Sequence, residues 1–493
     1  MKRILTFLLF AAAAVAQSSQ LSPAVRAFVK YDQPMIALTH VRVIDGTGAP
    51  AREDQTIIIR NGKIDRVEQS PLSRQAKDAL LDTNTKVIDL TGYTVMPGLV
   101  GMHDHQFYPT GGAPVYAELA YSAPRLYLGA GVTTLRTTGS IEPYADLSLK
   151  QQIDAGRIPG PKMYVTGPYL EGKGAYTVQM HELTGPDDAT RTVAYWAEEG
   201  VSNFKAYMNI TRAELSAAIA EAHKRGLKIT GHLCSIGFRE AAALGIDDLE
   251  HGLLVDTEFV PDKKPDVCPG QRVGEESLLK LDMNGSELKQ TIDELVAHHV
   301  ALTSTLPVFE TFAPNRPPFN TSLTVAGAGA RGEAYMNRVL DTMAENARRA
   351  YLTQRAQIGA QPNSPWPELF KREEQFEHMF AQAGGLLIAG LDPTGYGGVV
   401  PGMGDWREVE LLVEAGFTPV EAIKIATYNG AQYLGDQSVG SIAPGKAADL
   451  MVIKGDPSKN ISDIEKVETV FKDGIGYDSQ KLIESAKGRV GLQ

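Results

Sequence analysis

Between residues 35 and 96 the apolar positions fall into short runs bounded by turn residues, the pattern of β-strands. Met35–Ile44 reads as a strand and Asp45-Gly-Thr-Gly48 as a turn. Thr56–Arg60 and Lys63–Val67 read as two arms of a hairpin around Asn61-Gly62, because a tight hairpin turn needs positive φ at both central residues. Val87–Leu90 and Tyr93–Met96 follow. No helical period separates these runs, so the stretch predicts a small all-β unit.

From Pro97 to about Leu434 the pattern changes. Apolar, β-branched runs alternate with helical periods, the sign of βα repeats and a parallel sheet. The clearest unit opens with Thr211-Arg-Ala-Glu214, a capping box. Leu215, Ala218, Ile219 and Ala222 then recur at helical spacing, and Gly226 stops the helix. Leu227–His232 is the next strand. A shorter helix over roughly 237–244 stops at Gly245, and Ile246–His251 follows. Strands ending near Met102, Arg136, Pro168, Lys205, His232, His251, Pro307 and Leu391 make eight. The prediction is an α/β chain whose residues 97–434 form a (β/α)8 TIM barrel. Insertions at about 253–290 and 310–380 would lie above the strands, where lids and specificity loops sit. Asp449–Ile453 and Val467–Lys472 return to the strand pattern, with a hairpin signal at Asp473-Gly474. Residues 17–96 and 435–493 are therefore expected to form one composite β-sandwich domain, with the barrel inserted between them.

The 493 residues are 43% hydrophobic and 22% charged, an ordinary globular composition that excludes disordered, collagen-like and multi-span membrane chains. A net charge of −11 with no basic patch excludes nucleic acid as a partner. Two cysteines, Cys234 and Cys268, exclude a disulfide scaffold and leave one bridge open. The spacing of Cys234 from His232 allows it to face the same site, but a small buried residue is the simpler reading. Residues 1–16 change the picture further. Lys2 and Arg3 precede the apolar run Ile4–Val15, and Ala14-Val15-Ala16 is a small-x-small cleavage pattern. This reads as a secretory signal peptide, too short for a membrane span. The expected mature protein is periplasmic or secreted, with no membrane attachment.

The candidate chemistry begins at His103-Asp-His105. Residues i and i+2 of a strand share a face, so both imidazoles can grip one metal ion. Alone this is a weak signal. Lys205, His232, His251 and Asp392, however, also fall at strand ends, and in a parallel barrel those ends converge on the rim where active sites form. A satisfied core histidine explains any one of these positions. It is a poor explanation for four histidines at equivalent ends of three strands.

Val43–Gly48, Val95–His105 and Gly440–Leu450 together resemble the start, metal-binding strand and close of the amidohydrolase superfamily, over nearly the whole mature chain. The chain is most similar to the imidazolonepropionase-like and Xaa-Pro dipeptidase-like branch. There a lysine on the fourth strand, once carboxylated by CO2, usually bridges two metals. The resemblance implies that His103, His105 and Asp392 bind the more buried ion and that His232 and His251 bind the more exposed one. Carboxylated Lys205 would bridge them. Neutral imidazoles and carboxylates suit Zn2+, although Mn2+, Co2+ or Fe2+ would fit. A hydroxide shared by the metals would attack the substrate, with Asp392 carrying the proton.

Tyr207 lies on the same face as Lys205 and is a candidate oxyanion donor, with a packing role as the alternative. His181 is a candidate substrate contact, or a surface histidine. Arg136 carries a fork of donors suited to a substrate carboxylate, or to a structural ion pair. His40, His223, His298, His299 and His378 read as structural or solvated. The expected function is a binuclear metal-dependent hydrolase of amide or other C–N bonds, acting on small molecules such as dipeptides or N-acyl amino acids. Hydrolysis of cyclic amides, lactones or other non-peptide bonds is the alternative. A mononuclear deaminase, an isomerase or decarboxylase, and a non-catalytic binding barrel stand behind it; the last would lack ligands, and none is missing. A homo-oligomer stays open.

Overall fold

Eight short runs of apolar residues supply the parallel strands, and each is buried on both faces, as helices outside and side chains inside require. In the computed structural model, which describes residues 21–69, 71–110, 115–314, 316, 329–361, 363–393 and 398–491, they are as follows. β1 is Leu99–Asp104 and β2 is Val132–Thr137. β3 comes in two pieces, Lys162–Tyr164 and Thr166–Leu170. β4 is Asn203–Ala206, β5 Lys228–Gly231, β6 Asp248–Glu250, β7 Ala301–Ser304 and β8 Leu387–Ala389.

The first piece of β3 pairs with β2, which pairs with β1. The second piece starts a run through β4, β5, β6, β7 and β8 in chain order, all parallel. Two seams close the barrel. At the first, the Ser140 N–H donates to the Gly167 carbonyl at 3.1 Å, and the Thr166 N–H donates to Thr137 Oγ1 at 2.9 Å. At the second, the Leu391 and Asp392 N–H groups reach the His103 carbonyl at 3.4 and 3.0 Å. Backbone passes so close here that a Cβ on Gly390 would lie 2.3 Å from that of His103. Glycine is required for this contact.

The helix after β4, Arg212–Lys224, carries the predicted capping box. The Glu214 N–H donates to Thr211 Oγ1, and the Thr211 N–H donates to Glu214 Oε2. Pro307 does not end a strand. β7 stops at Ser304, and Pro307 opens the helix Leu306–Glu310. A residue without an N–H cannot serve a ladder but suits a first helical turn. Pro168 likewise sits inside the second piece of β3.

Both ends of the chain build one nine-stranded sheet. Leu450–Lys454, from the far end of the sequence, lies between Tyr93–Pro97 and Val467–Lys472. The strand Met35–Val43 pairs with Thr85–Asp89 through its first residues and with Tyr93–Pro97 through its last, so the expected sandwich is a continuous sheet that divides there. Ile36, Leu38, Val41, Ile57 and Ile59 fill one side. Met35, Ala37 and Ile58 face a helix, Arg74–Leu81, through Ala76 and Ala79. The unit expected to be all-β therefore contains one helix. Its apolar stripe is only two alanines and a leucine wide, too thin to show a period. The predicted signal peptide lies outside the described residues. Among those described, no helix is long and apolar enough to cross a membrane.

Candidate metal centre

His103 ends β1, Lys205 lies within β4, His232 and His251 follow β5 and β6, and Asp392 follows β8. The barrel brings them together. Lys205 Nζ is 3.1 Å from His103 Nε2. Asp392 Oδ1 is 3.8 Å from His103 Nε2 and 3.4 Å from His105 Nε2, and Asp392 Oδ2 is 3.9 Å from His251 Nδ1. The His232 ring centre lies 4.4 Å from that of His251. Donor atoms of His103, His251 and Asp392 all fall within 4.8 Å of one another, a group able to hold a metal ion.

Neighbouring groups fix how these rings point. His103 Nδ1 lies 2.7 Å from Glu250 Oε2, His105 Nδ1 lies 3.2 Å from the Gly139 carbonyl, and His251 Nδ1 lies 2.8 Å from Thr305 Oγ1. With Nδ1 engaged, Nε2 is left for a metal. His251 Nε2 is buried and has no hydrogen-bond partner among the described residues. Such an orphaned acceptor beside a carboxylate and three other imidazoles fits a bound cation. His251 and Asp392 also hold φ of +72° and +52°, a left-handed conformation that costs non-glycine residues energy and gathers at functional sites.

The electrostatics suit metal ligation. Burial lowers the pKa of all four histidines, His232 to about 3, so each is a neutral imidazole. Burial also lowers Lys205 to about 8, against the pull of Glu250 and Asp392. Burial opposes ionisation of Asp392, yet His103, His105 and Lys205 hold its carboxyl well below the usual range. Tyr207 is buried beside His232, with ring centres 4.9 Å apart. Burial raises its pKa well above 10, so the hydroxyl stays a donor.

Two predicted substrate contacts lie elsewhere. Arg136 is fully buried beneath the centre. Its Nη2 is 2.9 Å from both Asp248 Oδ2 and Glu250 Oε1, and its Nε donates to the Met102 carbonyl. Two interior carboxylates on β6 need a buried cation, so the structural ion pair is its role. His181 is exposed and pairs with Asp188 at 3.0 Å; its neighbour Met180, not His181, lines the cavity. Cys234 is bonded to Cys268, which ties the loop after β5 to the first insertion. Sequence reading missed Glu250 and Thr305. The available signal was Asp248 and Glu250, two acids at i and i+2 in an otherwise apolar strand. Above the ligands lies a cavity of about 350 Å3 walled largely by aromatic side chains.

Residues 94–306 and 382–476 match the Amidohydrolase family, and the unmatched middle is essentially the second insertion. The chain belongs to the amidohydrolase family. Over 66 residues it is 42% identical to adenine deaminase 1 of Carboxydothermus hydrogenoformans, a match spanning 13% of this chain and 10% of that relative. Its fold is similar to that of a proposed prolidase from Bifidobacterium longum, with 25% identity, a TM-score of 0.62, and 92% and 99% of the two chains covered. A Xaa-Pro dipeptidase solved with methionine in its active site shares the fold at 20% identity and a TM-score of 0.64, over 90% of this chain and all of that one.

Proposed function

We propose that this protein is an exported, metal-dependent hydrolase that cleaves amide or related C–N bonds in small molecules. The observation that carries this reading is the convergence of four neutral histidines, Asp392 and Lys205 around the unpartnered His251 Nε2. His103, His105 and Asp392 would hold one divalent ion, most suitably Zn2+, and His232 and His251 a second, with carboxylated Lys205 between them. Burial lowers Lys205 to about 8, so a minor but usable share, about a tenth, is free amine near neutral pH. That amine adds to CO2 and releases one proton to give the anionic carbamate.

When bound, the ions supply Lewis acidity and ease deprotonation of water. The chain's own residues do the rest. Ionised Asp392 accepts the proton from the attacking water and delivers it to the leaving nitrogen. Protonated Tyr207 donates a hydrogen bond to the oxygen that gains charge as the carbonyl becomes tetrahedral. The leader-like residues 1–16 and the Cys234–Cys268 bridge both support export.

Elemental analysis of protein purified without chelators, beside Lys205→Ala, tests this reading. About two equivalents of metal, falling sharply in the variant, are expected. No metal after reconstitution with Zn2+ and bicarbonate would overturn it.

A further inference from the structure

Among the described residues, the cavity over the ligands has no charged lining apart from the ligands themselves. Phe107, Tyr116, Tyr169, Tyr207, Phe309 and Phe312 contribute six aromatic rings to it. Burial raises the pKa of Tyr116, Tyr169 and Tyr207, so these walls stay neutral at any ordinary pH. Both insertions contribute: Gln271 comes from the first and Phe312 from the second, where Trp366 stacks behind Phe312 with ring centres 4.5 Å apart.

Among the described residues, no arginine and no lysine besides Lys205 lines this space. Four cations near it in sequence lie outside this lining. Arg136 is held beneath the floor by Asp248 and Glu250. Arg272, next to Gln271, is exposed and pairs with Glu276. Lys263 donates to the Ser235 carbonyl. Lys173 stands exposed on the loop after β3.

This absence matters for the substrate. A carboxylate taken out of water needs a cation or several donors, and an ammonium needs a carboxylate. Among the described residues, the one carboxylate lining the cavity is Asp392, already set among the histidines. Among the described lining residues, a zwitterionic dipeptide would find no arginine for its carboxylate, only the hydroxyls of Tyr116, Tyr176 and Tyr207 and the Gln271 amide, and no acid for its ammonium other than the ligand Asp392. Aromatic walls instead reward apolar and aromatic groups. We infer that the site takes uncharged amides whose acyl and amine parts are both apolar, and that it selects against free dipeptides and N-acyl amino acids. This inference rests on the hydrolase reading and narrows its substrate class.

The test uses matched pairs that differ only by a carboxylate, with the metal-loaded protein. N-acetylphenethylamine and N-acetylphenylalanine are compared by kcat/KM. Their non-cleavable ketone counterparts, 5-phenylpentan-2-one and 2-benzyl-4-oxopentanoic acid, are compared by calorimetric binding. The uncharged member is expected to lead by tenfold or more in both measurements. If neither amide is cleaved but the neutral ketone still binds tenfold tighter, the reading of the cavity stands and the hydrolase reading fails. An acid that binds as tightly as its neutral partner, or that is cleaved at least as well as a neutral partner, overturns the inference. So does a failure of both ketones to bind.

Discussion

Glu250 shows how much of the centre depends on a residue that touches no substrate. It holds His103 Nδ1 at 2.7 Å, accepts from Thr230 Oγ1, and is itself held by Arg136. Its carboxylate fixes both the tautomer and the ring plane of His103, and removing such a partner typically costs 10–100-fold in metal affinity or activity. Glu250→Gln keeps the shape but not the charge, and should lower metal affinity by about that factor with the fold retained. Metal titration beside circular dichroism checks this; unchanged affinity would mean that His103 is oriented by packing alone. The residues that meet at the rim were legible because a histidine, lysine or aspartate at the end of an apolar run is unusual. Arg136 and Glu250 were not, because a charged residue in a sequence does not reveal whether solvent or another charge will satisfy it. Tyr207 belongs with the first group. Tyr207→Phe should reduce kcat by about 10- to 1000-fold if its hydroxyl stabilises the developing oxyanion. An unaltered rate would return it to a packing role.

At the level of elements, the insertions matter most, and they are where sequence reading had least to work with. The Cys234–Cys268 bridge closes a loop with a sequence separation of 34, which includes the segment leading to Gln271. Two cysteines reveal nothing of their distance, so the pairing waited for the structure. Cross-linking a loop of that length removes enough unfolded-state freedom to stabilise by about 3–4 kcal/mol. Replacing both cysteines with alanine should lower the melting temperature accordingly, and should make it insensitive to reductant. A melting temperature that reductant leaves unchanged in the parent would argue against a formed bridge. The helix Arg74–Leu81 and the helix Leu306–Glu310 escaped notice for related reasons: one is short with a thin apolar stripe, and the other spans five residues and starts one residue after its strand ends.

For the whole molecule, the barrel was legible because its strands are short, largely buried apolar runs that alternate with helical periods. How the β-rich ends attach to it was not. One attachment is Asp436, on the segment leaving the last barrel helix. It takes hydrogen bonds from Lys162 and Tyr164 at 2.5 and 2.8 Å. Burial alone would raise this carboxyl; Lys162, Ser438 and Tyr164 outweigh it and hold the group well below its usual range. A carboxyl lowered on folding adds stability that is complete above its unfolded value near 3.8, and that stability fades as pH falls toward the folded value. Asp436→Asn should therefore cost about 1 kcal/mol at pH 7, modest because the pair is partly exposed, and clearly less at pH 3. Equal losses of melting temperature at the two pH values would count against the ion pair.

The shared sheet also sets a timetable for the newborn chain. Leu450–Lys454 sits between a strand made before the barrel and one made after it, and Val29 is matched with Tyr477. While the ribosome is still working through the barrel, Tyr93–Pro97 has no neighbour on that side and the apolar face around Val95 stands open. Closure of the sheet must wait until the barrel is complete and Leu450–Lys454 has emerged, and such late, long-range pairing is slow and prone to aggregation. A protein built this way keeps that edge unpaired while its barrel is made, and it calls for chaperone cover over that interval.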